Sequence, residues 1–85
     1  MFSNSDTLER RTTMDIVAEI LALSEEGAKK TRIVYGANLN FKMLNKYLAR
    51  LEESGLVKRS SSRSGIIQAT DKGREYLQKL ESLRL

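Results

Sequence analysis

Lys30 to Val57 reads KTRIVYGANLNFKMLNKYLARLEESGLV. In this stretch Phe41, Leu44, Leu48 and Leu51 recur at steps of three and four, the spacing of one helix face. That spacing predicts a helix from Phe41 to about Ser54 with those four residues in the core. At about 100° per residue, Lys42, Lys46, Ala49 and Arg50 fall on the opposite side, with Asn45 at the border. Just before it, Asn38 suits a left-handed turn and Asn40 suits the cap of the helix that follows. Thr31 is placed to cap a shorter helix through Ile33, Val34 and Tyr35, and Gly55 stops the longer one. Two helices joined by a tight turn result, the second presenting a polar, basic outer stripe.

Reading outward from that pair, Thr12 or Thr13 can cap a first helix whose apolar residues Ile16, Val17, Ile20, Leu21 and Leu23 keep helical spacing, ending near Ser24. Leu56 to Ser60 and Ile66 to Ala69 have strand character and flank a polar turn, residues 61–65, that contains Arg63. Thr70 then caps a last helix, with Asp71 well placed in its first turn and Tyr76, Leu77, Leu80 and Leu83 as its apolar stripe. The expected fold is mainly α with a small β-hairpin, in the order helix, helix, helix, strand, strand, helix. Residues 1–11 read as a flexible polar leader, 12–70 as the domain, and 71–85 as a helix available for pairing with a second copy.

Composition narrows the function classes. Eighty-five residues with 40% hydrophobic content suit one small core. Cysteine and histidine are both absent, which excludes disulfides, thiolate or imidazole metal sites and the usual nucleophile–base pairs. Glu25 with Glu26 and Glu52 with Glu53 are sequence neighbours and point about 100° apart on a helix, so they do not converge on one substrate. No phosphate-binding glycine loop is present. Neither an enzyme nor a cofactor or metal protein is expected. The opening residues do not resemble a signal peptide and no apolar run approaches a membrane span, so a cytoplasmic protein is expected.

The formal net charge is +4, but its distribution is uneven: Gly27 to Arg74 holds eleven basic residues against three acidic. From Gly27 to Leu51 there is no carboxylate, while Lys29, Lys30, Arg32, Lys42, Lys46 and Arg50 all fall there. A cationic middle of this kind fits a polyanionic partner.

The block ANLN, followed by YL and GL, and the later TDKGREYL from Thr70 to Leu77 together resemble a group of small archaeal winged helix-turn-helix proteins, transcriptional regulators and chromatin-associated proteins among them. The resemblance spans about three quarters of the chain. It implies a domain that binds double-stranded DNA, with the 41–54 helix in the major groove and the 58–66 wing on the backbone or minor groove. On that reading Arg32, Asn40, Lys42, Asn45, Lys46, Arg50, Lys58, Arg59 and Arg63 are the DNA-binding residues. Relatives of this type dimerise through long C-terminal helices. Here the last helix has room for only about four turns, which excludes a long coiled coil but leaves a shorter homodimer contact through Tyr76, Leu77, Leu80 and Leu83. Two alternatives share the fold: a protein-interaction module whose basic surface meets an acidic partner, and an architectural chromatin protein with little sequence preference. RNA binding is disfavoured, because the few aromatics (Phe2, Tyr35, Phe41, Tyr47 and Tyr76) are mostly needed for packing.

Overall fold

The computed structural model describes residues 11–60 and 65–83. Helix α1 (Thr13–Leu23) opens on a reciprocal cap. The Thr12 hydroxyl accepts from the Asp15 amide at 3.1 Å, and the Asp15 carboxylate accepts from the Thr12 amide at 3.0 Å. Two of the amides that a helix start leaves without partners are thereby satisfied. The helix ends on Ser24, a fully buried serine whose hydroxyl donates to the Ile20 carbonyl at 2.8 Å.

Helix α2 (Lys30–Gly36) begins slightly earlier than the sequence predicts. Lys29 takes the cap position without a side-chain hydrogen bond, and Thr31, expected as the cap, lies inside the first turn. Asn38 adopts φ 56°, the left-handed conformation that reverses the chain. Asn40 then caps helix α3 (Phe41–Glu53), its side chain accepting from the Met43 amide at 2.7 Å. Gly55, at φ 77°, follows α3 and turns the chain into the hairpin.

Strands β1 (Val57–Arg59) and β2 (Ile67–Ala69) pair antiparallel, with Val57 opposite Ala69, Lys58 opposite Gln68 and Arg59 opposite Ile67. Ala28, between α1 and α2, pairs with the other edge of β2. Its amide donates to the Ile67 carbonyl and its carbonyl accepts from the Ile67 amide, both at 2.8 Å. Helix α4 (Asp71–Leu83) starts where the Thr70 hydroxyl accepts from the Gly73 amide at 3.0 Å. The described residues thus form four helices and a two-stranded hairpin in the expected order, a winged helix fold.

Ile20, Leu21, Ile33, Leu44, Leu48 and Ile67 are fully buried and define the centre of a single core cluster. Two expectations need correction. Phe41 was expected among the core residues of α3, yet it is 49% exposed. Leu39, immediately before the helix, is buried and held by a hydrogen bond from its amide to the Val34 carbonyl at 2.9 Å, and it fills that end of the core instead.

The second correction concerns α4, which is part of this core and not an appendage to it. It packs along α1, whose sequence TMDIVAEILAL is apolar on nearly every side and needs cover. Leu77 and Leu80, expected at a dimer contact, are only 4% and 6% exposed within their own chain. Exposing both would cost about 3–6 kcal/mol, a large share of what a small domain possesses, so they are not free to serve a second copy. Tyr76 and Leu83, from the same stripe, do face outward.

Gly73 permits the close approach of α4: a Cβ at this position would collide with the Leu56 carbonyl oxygen. Replacing a helical glycine with alanine ordinarily stabilises, by up to about 1 kcal/mol. The expected result for Gly73→Ala is the reverse, a loss of about 1–3 kcal/mol, read as a lower midpoint in urea unfolding. A raised midpoint would contradict this account of the packing.

Candidate functional site

The outer side of α3 is a continuous polar, mainly basic surface. Leu44, Leu48 and Leu51 are drawn into the core, and this fixes the rotation of the helix and turns its other residues to solvent. At about 100° per residue, Lys42 and Lys46 lie at the middle of the exposed face. Arg50 flanks them on one side, Ala49, Asn45 and Glu52 on the other. Lys42, Asn45, Lys46, Ala49 and Arg50 are all exposed. Among the described residues, none forms an ion pair with Lys42, Lys46 or Arg50. Glu53 lies on the same side beyond Ala49 and closes the cationic strip, so the strip occupies the first three turns of the helix.

Both edges of this strip are built from other elements. On one edge, Lys46 and Arg50 share a shallow cavity of about 250 Å³ with Met43, Tyr47 and Thr13, the first residue of α1. On the other, Asn45 and Glu52, seven residues apart in sequence, each hold one cation from elsewhere in the fold. Lys30 of α2 donates from Nζ to Asn45 Oδ1 at 2.7 Å, and Arg59 of β1 donates from Nε to Glu52 Oε2 at 2.6 Å. Cations from α2, α3 and β1 therefore converge on one surface.

Other residues singled out from the sequence are placed differently. Alternation along β1 puts Lys58 on the opposite side of the hairpin from Val57 and Arg59. Lys58 lines a depression with Gln68, Thr70 and Lys72 near the start of α4, away from the α3 strip. This corrects the expectation that it joins the same surface. Arg32 is exposed beside Leu23, Tyr35 and Gly36, in a depression lined by α1 and α2 alone. Asn40 spends its carbonyl oxygen on capping α3. Arg63 lies outside the described residues.

Two contributors were not assigned to the site from the sequence. Lys30 carries no mark that separates it from Lys29, and only the crossing of α2 and α3 brings it to Asn45. Arg11, read as part of a leader, reaches back to the turn between α2 and α3. Its guanidinium donates to Glu19 Oε1 and to the Ala37 carbonyl, each at 2.6 Å, and to the Asn38 carbonyl at 3.3 Å. No local pattern announces a contact across that separation. Elsewhere, no group of three or more histidine, cysteine, aspartate or glutamate side chains is arranged to hold a metal ion among the described residues. Nor is any helix among them long and apolar enough to cross a membrane.

Helix, turn, helix and hairpin in this arrangement define a winged helix-turn-helix domain, and the chain belongs to the winged helix-turn-helix family, which it matches over residues 10–85. It is similar to the uncharacterized protein MJ0287 of Methanocaldococcus jannaschii, with 30% identity over 81 residues, covering 94% of this chain and 80% of the relative. It is also similar to the uncharacterized protein MJ0290 of the same organism, 32% identical over 75 residues, although the match covers 87% of this chain and only 34% of that longer protein. Among solved structures it resembles Sso10a-2, a DNA-binding protein from Sulfolobus solfataricus. The TM-score is 0.79 and the identity 32%, over 85% of this chain and 77% of that one.

The Arg11 contacts join the start of α1 to the turn that sets the angle between α2 and α3. Charged hydrogen bonds of this kind are worth about 1.5–3 kcal/mol when shielded, and these are only partly so. Arg11→Ala is therefore expected to cost about 1 kcal/mol, measured as a lower unfolding midpoint. An unchanged midpoint would show that the turn holds itself.

Proposed function

We propose that this protein binds double-stranded DNA and acts as a transcriptional regulator, with the outer side of α3 entering the major groove and the hairpin resting on the adjacent backbone. The observation that carries the proposal is the exposed cationic strip of Lys42, Lys46 and Arg50, which has no ion pair among the described residues, on a helix whose rotation the core fixes. A helix of this width fits the major groove, where arginine and lysine donate to guanine or hold phosphate, and asparagine can pair with a base edge. The DNA-binding character of Sso10a-2, a structural neighbour at 32% identity, supports the same reading. Arg59, Arg32 and the wing residue Arg63 are assigned to phosphate, and Asn40 to the support of α3. Retention in the cytoplasm with the DNA belongs to the same proposal.

A homodimer forms part of the proposal, reduced from the four residues expected in the sequence to the two that face outward. Tyr76 and Leu83 lie two turns apart on α4, and Leu83, 73% exposed, shares a groove with Met14 of α1. An apolar cluster at the end of the last helix is suited to the same cluster on a second copy.

The main test is a mobility-shift titration on duplex DNA at several salt concentrations. The Lys46→Ala, Arg50→Ala double variant is expected to bind at least tenfold more weakly, with the log–log salt slope reduced by about two, near 0.9 for each phosphate no longer neutralised. Lys58→Ala, on the far side of the hairpin, should change affinity less than about twofold on the same scale. Equal binding by the double variant and the parent removes α3 from the interface. For the dimer, sedimentation of the parent at micromolar concentration should give twice the chain mass and Leu83→Glu the chain mass. A monomeric parent ends the dimer proposal without touching the first.

A further inference from the structure

Asn45 is the one residue of the α3 strip able to offer a base either a donor or an acceptor, and its partner within the fold decides which it offers. Lys30 Nζ stands 2.7 Å from Asn45 Oδ1. A lysine ammonium can only donate, so the atom facing it must be the amide oxygen, and the amide nitrogen with its two hydrogens is turned away from Lys30. The orientation that is usually ambiguous for an asparagine is settled here by the chemistry of its neighbour.

We infer that Lys30 is a specificity-determining residue: by taking one lone pair of the Asn45 oxygen and setting an ammonium beside it, it opposes the N6 donor of adenine and favours guanine at the base pair that Asn45 meets. The inference rests on the proposed DNA-binding reading. Adenine is recognised by an asparagine amide in a paired manner, the oxygen accepting from N6 while the nitrogen donates to N7. That pairing brings the N6 hydrogens of adenine onto the second lone pair of an oxygen that already faces an ammonium, so two donors crowd one acceptor. Guanine presents two acceptors, O6 and N7, in the major groove, so the donating nitrogen of Asn45 meets no such opposition there. The Lys30 ammonium, held beside the amide, also favours the acceptor-rich edge. The contact spans α2 and α3, and both ends are positioned by buried neighbours: Ile33 and Val34 seat α2, and Leu44 and Leu48 seat α3.

The test is selection of bound sequences from random duplexes by the full chain, in parallel for the parent, Lys30→Met, Lys30→Arg and Asn45→Ala. Lys30→Met keeps most of the aliphatic stem and removes the donor. The parent is expected to select guanine at one position of the site, and Asn45→Ala to lose that preference. Lys30→Met should shift the same position toward adenine by about fivefold or more, within the range one paired base contact supplies. Lys30→Arg, which also only donates, should keep guanine. A merely electrostatic role for Lys30 would lower affinity for every sequence equally and leave the preference where it was, which overturns the inference. So does an adenine preference in the parent that Asn45→Ala abolishes. Both results leave DNA binding itself intact, whereas failure of the parent to retain any duplex removes the proposed function and this inference with it.

Discussion

Ile67 is where the two halves of the chain are tied together. Its amide and carbonyl exchange hydrogen bonds with Ala28, its side chain is fully buried, and its cross-strand partner is Arg59. The neighbouring Ala69 amide adds a bond to the Ser24 carbonyl at 2.9 Å. Through these few bonds the hairpin is fastened to the connection between α1 and α2, a segment about forty residues earlier in the chain. Without them β1 and β2 would be a two-stranded ribbon, marginal by itself in water, held to the helices only by the side chains it buries. With them Arg59 is held within reach of Glu52 on α3, and the hairpin and helix present one surface.

The electrostatics of that surface follow from where its carboxylates are kept. The strip on α3 has none until its last turn, and Glu52, at its edge, is already matched to Arg59. This pair is about one third exposed on both sides, where ion pairs contribute little to stability. Its consequence is placement. Among the described residues the guanidinium uses one N–H, on Glu52, and a guanidinium fork has further N–H groups of the kind that suit an anion's oxygen.

Local chemistry made most of the fold legible in the sequence. The leucine spacing of α3, the capping residues Thr12, Asn40 and Thr70, the left-handed Asn38 and the glycine after α3 all act within a few residues of themselves, and each appears where local rules place it. What was misread depends on contacts between distant segments. Leu77 and Leu80 carry the same apolar signature whether they cover α1 or a second chain, and only the packing of α4 on α1 distinguishes the two. The Ala28 pairing involves a single residue and so leaves no periodic trace. In the candidate site the basic face of α3 could be read from helical spacing, because the core face fixes its complement. The partners Lys30 and Arg11, and the turning away of Lys58, could not, since each is set by a crossing angle or by the pleat of a short strand.

Gly73 carries this further. With no side chain between them, the backbone of α4 rests directly against the carbonyl of Leu56, so main-chain contact fixes where the last helix starts, while Leu77 and Leu80 seat the rest of it on α1. Substitutions elsewhere in the core leave that starting point in place. In any pair of copies joined at its tip, the separation between the two α3 helices would then behave as a ruler with its zero mark set in backbone geometry, keeping that mark while the surrounding sequence changes.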